Sequence, residues 1–161
     1  MNRFVNAALV TVSVIAARPT SLLAQRGQPS TANAARINAC SLVPKAEVKK
    51  NLPWKSALDG LPVNEEAVGA SGSSCGYPSV FIQIIPFSPR MIDLARKQGG
   101  LEPISGVGDE AYFHNNSDRY AEVYVKVGER LLTLQADLDG NLGTVKPGVV
   151  NLAKAYVAKL R

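Results

Sequence analysis

The stretch RYAEVYVKVGERLLTLQADL, Arg119 to Leu138, constrains this chain more than any other part of it. Ala121, Val123, Val125 and Val127 alternate with Tyr120, Glu122, Tyr124 and Lys126. After Gly128-Glu129, Leu132, Leu134, Ala136 and Leu138 alternate with Leu131, Thr133, Gln135 and Asp137. A period of two puts each set on one face of a β-strand, and a two-residue break containing glycine joins neighbouring strands as a hairpin. Glu110 to His114 precedes them as another strand, linked through Asn115 to Asp118. Consecutive hairpins with one apolar row each make an antiparallel sheet that needs cover on one face.

The rest of the chain supplies that cover. Pro44 and Pro53 bound a short helix in which Val48 and Leu52, four apart, share a buried face, with Trp54 packed nearby. Ser88 and Pro89 open a second helix and Gly99-Gly100 close it, with Arg96 and Lys97 in the last turn, where the helix dipole favours cations. A third helix is expected from near Pro147 to the end, with Val149, Ala153, Tyr156 and Leu160 on one face. Val80 to Ile85 is β-branched and aromatic, and forms a further strand. Residues 57 to 74 are rich in Gly, Ser and acids and predict a long loop with room for a short strand near Glu66 to Val68. The expected order is α-β-α-β-β-β-α. It defines an α+β two-layer sandwich with a mainly antiparallel sheet of four to five strands and helices on one face.

Length and termini bound the organisation. At 161 residues there is room for one domain. The first residues carry Arg3, an apolar run from about Phe4 to Ala17, and then the small residue Ala24. That order marks a secretory signal peptide over residues 1 to 24, cleaved after Ala24 or alternatively Ala17. The run is shorter than the roughly 20 apolar residues of a membrane span. No stable membrane insertion is expected after cleavage, although an N-terminal anchor is the competing reading. Residues 25 to 38 are polar and aperiodic, a flexible leader to a single domain over 39 to 161. Export places the protein in a periplasm or outside the cell.

Of 18 Lys and Arg, two fall in the signal peptide, leaving 16 against 13 acids. The excess is mild and dispersed, and predicts no nucleic-acid partner. Lys49-Lys50 and Arg96-Lys97 are short pairs on solvated helix faces. Cys40 and Cys75 are the two cysteines, and in an exported chain they pair as a disulfide. Closing a loop of about 35 residues is worth about 4 kcal/mol in the chain-entropy model. Neither a C-x-x-C spacing nor accompanying histidines suggest metal or redox chemistry. Cys40 lies too far beyond the apolar run to be a lipid-attachment cysteine.

The motifs that suggest chemistry have plainer explanations. Gly106-x-Gly108-x-x-Ala111 matches a loose dinucleotide fingerprint, but a strand follows it where a helix must receive the phosphates, and Asp109 and Glu110 would repel them. The glycines serve a tight entry into the strand, and Asp109 bonds backbone N–H groups of the turn. His114 is the sole histidine; Ser117 and Asp118 nearby do not define a triad with it. Asp137 to Asn141 lacks the glycine and glutamate positions of a calcium loop, so Asp139-Gly140 is a turn. Asn115-Asn116-Ser117 is a formal glycosylation sequon. No catalytic, cofactor-binding or metal-binding residue is assigned, and no cofactor.

One surface stands out. If the valine and leucine rows face the helices, the opposite sheet face carries Phe81, Tyr112, His114, Tyr120 and Tyr124. Apolar surface of that kind marks interaction sites. The expected function is therefore a non-catalytic exported domain that binds a protein or an apolar ligand through this face. The alternatives are a small envelope enzyme with a loop-built site near His114 and Asp109, and a purely structural envelope protein.

Four segments, CSLVPKAEV after an export signal, SSCGYP, SGVGDEAYF and LAKAYVAKL, resemble those of small secreted or lipoprotein-type domains of unknown function from bacterial envelopes. The resemblance spans about residues 39 to 161. It implies a compact α+β envelope domain with no established catalysis, and it contributes no catalytic residue. The chain departs from the lipoprotein members in that Cys40 has Cys75 as a partner.

Overall fold

The computed structural model describes residues 37–52, 64–115, 119–138 and 142–161. Short helices α1 (Ala39–Leu42) and α2 (Lys45–Asn51) open the domain. Strands β1 (Asn64–Val68), β2 (Gly72–Tyr77) and β3 (Val80–Pro86) follow, then α3 (Pro89–Gln98). Strands β4 (Leu101–Pro103), β5 (Glu110–Asn115), β6 (Tyr120–Val127) and β7 (Arg130–Asp137) lead to α4 (Leu142–Leu160). The seven strands form one sheet in the order β1-β2-β3-β7-β6-β5-β4, and every neighbouring pair is antiparallel.

The sheet consists of two meanders joined between β3 and β7. There Val80, Ile82 and Ile84 lie opposite Ala136, Leu134 and Leu132. These residues, with Val123 and Val125 of β6, are buried on the front face beneath α1, α2 and α4. The period-two rows thus land where alternation places them. Val48 and Leu52 are buried in the same core. Asn38 caps α1, its side-chain oxygen accepting from the Ser41 N–H at 2.7 Å. Ile37 packs against the core.

Two features correct the expected architecture. Among the described residues the sheet has seven strands where four to five were expected, and there are four helices, divided between the two faces of the sheet. The strands missed are β2, which opens in the Gly/Ser-rich segment, and β4, while β1 extends the short strand expected near Glu66 to Val68. In β2, Ser73, Ser74 and Cys75 are all buried, and Gly72 must be small because a Cβ there would strike the Val68 carbonyl and stand 3.0 Å from the Ile84 carbonyl. Small residues are poor strand formers on average, but a crowded position selects them. Edge strand β4 is three residues long and ends in Pro103, which lacks an N–H to donate.

The placement of α3 follows from the connectivity. β3 lies in the middle of the sheet and β4 at its far edge, so the chain between them must travel across β7, β6 and β5. The front face is occupied by α4, and α3 runs over the back. Arg96 of α3 donates to the Tyr112 hydroxyl at 3.3 Å, on the opposite side of β5 from the core residues Ala111 and Phe113. Ile92 and Ala95 of α3 and Leu131 of β7 are buried outside the front core, Leu131 at 0% exposure.

α4 begins at Leu142, a turn and a half before Pro147. Proline favours the first helical position, which places the expected start there, yet here it stands within the second turn. Residues 53 to 63, including Trp54, and the Asp139-Gly140 turn lie outside the described residues, as do the signal peptide and most of the leader.

Cys40 of α1 and Cys75 of β2 form the disulfide. Beside it the Ala39 N–H donates to Ser73 Oγ at 3.0 Å, and the buried Tyr156 hydroxyl of α4 donates to the Ala39 carbonyl at 3.2 Å. Replacing both cysteines by serine is expected to lower unfolding free energy by about 4 kcal/mol. Urea denaturation of the oxidised protein and the double variant, each fitted with its own slope, checks it.

Candidate functional site

The back face of β5 and β6 carries the main polar cluster of the described residues. Alternation brings Glu110, Tyr112 and His114 of β5 to this face together with Glu122 and Tyr124 of β6, and the register sets His114 directly opposite Glu122. His114 Nδ1 lies 3.2 Å from Glu122 Oε2, and the Tyr124 hydroxyl donates to the same oxygen at 2.9 Å. The imidazole and phenol rings are tilted neighbours, 6.2 Å apart. The corner after α3 closes over the imidazole, with Gly100 beside His114 Cδ2. His114 is left 1% exposed and Glu122 is also buried.

A second group sits at the rim of α3. Tyr112 donates to Glu110 Oε1 at 2.5 Å, and the Arg96 guanidinium stands 5.7 Å over the Tyr112 ring while pairing with Asp93 at 2.8 Å. The acceptor Glu110 holds the Tyr112 phenol above its ordinary value. Burial does the same to Tyr124, and the charge and hydrogen bond of Glu122 push it further in the same direction.

This geometry overturns the expected aromatic binding face. The five residues assigned to it do not form one surface. His114 is sealed beneath the α3 corner, Tyr124 is half-buried against Glu122, and Tyr112 is engaged by Arg96. Phe81, 40% exposed, and Tyr120 lie apart, lining an open groove of about 260 Å³ with Ser79, Gln135 and Asp137. The expectation fails because it placed α3 with the other helices, whereas the crossover takes α3 to this side.

Nor does the structure bring His114 and Asp109 together. Asp109 lies at the other end of β5, where its Oδ2 accepts from the Gly128 N–H of the β6–β7 hairpin at 2.6 Å and its N–H donates to the Lys126 carbonyl at 2.8 Å. The glycine corner does steer the chain, as its residues suggest. Gly108 has φ +62°, and a Cβ there would stand 2.5 Å from the Lys126 carbonyl and collide with a Val125 methyl. A strand, β5, begins at Glu110, where a nucleotide site requires a helix. Ser117 and Asp118 lie outside the described residues.

Glu122 is the residue that sequence reasoning left out of this cluster. The loop expected over Asn115 to Asp118 is centred between 116 and 117 and would set position 114 opposite 119, so the 114–122 register was not readable from it. The arrangement can hold β5 to β6 through a buried hydrogen-bond network and orient the corner after α3. Among the described residues, no three of His, Cys, Asp and Glu come together to hold a metal ion. No protein-family model matches the chain, nor does any curated protein or solved structure.

Two measurements test this reading. Gly108→Ala is expected to cost at least about 2 kcal/mol, from the left-handed backbone and the backbone collision together. Gly106→Ala, with open space at its Cβ, should cost about 1 kcal/mol. Chemical denaturation compares them. The raised Tyr124 phenol adds a pH dependence. The unfolded chain releases this proton near pH 10 and the folded chain holds it to higher pH, so its stabilisation is complete below about pH 10 and falls as pH rises beyond it. Tyr124→Phe should therefore lose less stability than the parent between about pH 10 and 12, measured as urea midpoints.

Proposed function

We propose that this chain is an exported domain of a bacterial cell envelope, built to work in an oxidising compartment. The observation that carries the reading is the Cys40–Cys75 disulfide at the junction of α1, β2 and α4. Cys75 is fully buried and Cys40 packs against the core, and no free cysteine accompanies them among the described residues. A crosslink so placed belongs to compartments where thiols are oxidised, since the cytosol keeps them reduced. The basic start, apolar run and small-residue exit over residues 1 to 24 support the same location, as does the likeness of the CSLVPKAEV, SSCGYP and SGVGDEAYF segments to those of envelope domains. Among the described residues no helix is long and apolar enough to cross a membrane.

The test is production of the full chain from its own N-terminus in a Gram-negative host, followed by fractionation and intact-mass measurement without reductant. The expected product lies in the periplasm, begins after Ala24 or Ala17 and is two hydrogens lighter than the dithiol. A full-length cytosolic product with two free thiols would overturn the reading.

A further inference from the structure

The lysines of the front helical layer are distributed unlike the charges elsewhere in the domain. α2 and α4 pack side by side over the front of the sheet. α4 carries Lys146, Lys154 and Lys159 and no acid at all, and α2 carries Lys45, Lys49 and Lys50 against the single acid Glu47. Glu47 is taken up locally, with Lys50 at 3.8 Å, and Lys146 is engaged by Glu102 at 2.5 Å. Lys45, Lys154 and Lys159 have no ion pair or hydrogen bond among the described residues. Lys154 and Lys159 are exposed. Among the described residues the other acids lie on the sheet and its turns, including Glu66, Glu110, Glu122 and Asp137, with Asp93 alone on α3.

We propose that this helical layer docks the domain on the surface of an anionic phospholipid bilayer. Three properties favour that occupant. Six lysines stand against the single acid Glu47 across two adjacent helices, which complements an extended sheet of negative headgroups. Neither the groove beside Phe81 nor the one beside Arg130 is lined by any of these lysines, which stand on open helix surface. Among the described residues the layer has no exposed aromatic side chain to stack bases, as Tyr156 is buried. Long lysine stems let each ammonium reach the headgroups while the helix stays above them. An envelope location would bring the domain to such a surface, but vesicle binding is read on purified protein and so succeeds or fails apart from export.

The experiment is co-sedimentation of the purified full chain with phosphatidylglycerol–phosphatidylcholine vesicles and with pure phosphatidylcholine vesicles, at low and at physiological salt. The parent should partition preferentially onto the anionic vesicles, and added salt should weaken it. Lys154→Glu with Lys159→Glu should reduce that partition at least about 25-fold, since each lysine near such a surface is worth about fivefold. Arg90→Glu with Lys97→Glu changes net charge equally on α3 and should leave partition within about twofold. Circular dichroism confirms that both variants fold, and any apolar leader is common to all. Equal loss in the two variants, no preference for anionic vesicles, or capture by soluble polyphosphate with no gain on vesicles would each overturn the proposal.

Discussion

The pairing of β3 with β7 is the constraint on which the architecture depends. Each meander alone has an open edge at that line, and the join places Ile82 against Leu134 and Ile84 against Leu132 in the middle of one continuous core. The join has a topological price: a chain leaving β3 cannot turn to the next strand beside it, because that place belongs to β7. It must cross the sheet and start again at the far edge. α3 is the segment that makes this crossing, and its Ile92 and Ala95 find burial on the back face in doing so.

The character of the back face follows. Leu131, His114 and Glu122 would be unusual on a solvated sheet surface, and they become intelligible as the floor beneath a crossing helix and its corner. A buried carboxylate beside a buried imidazole is costly unless its hydrogen bonds are made. Glu122 receives the Tyr124 hydroxyl and faces His114, so partners from β5 and β6 help to meet that requirement. The front face is covered by α1, α2 and α4 over apolar rows, and of its buried phenols Tyr156 finds the Ala39 carbonyl.

Much of this was legible in the residues. The alternation from Tyr120 to Asp137 marked two strands and their hairpin, and Val80 to Pro86, Glu110 to Asn115 and the span of α3 were readable from branching, alternation and punctuation. β2 was not, because Gly72, Ser73 and Ser74 are chosen for closeness to neighbours and carry no periodic apolar signal. The face on which a helix packs is a long-range property. Nothing local in PRMIDLARKQ says that it lies across the back of a sheet, and Met91 and Leu94, which look like inward positions, are exposed. Tyr112 and Tyr124 are cross-strand neighbours on the back of the sheet, and the engagement of Tyr112 by Arg96 of the crossing helix was not visible until strand order was known.

Tyr156 and Ala39 stand 117 residues apart in the chain, yet one hydrogen bond joins them beside the sulfur bridge. The last helix thus acts as a keystone over the first: Cys75 lies wholly beneath the packed core, so a reductant meets that sulfur only after the two ends of the domain part.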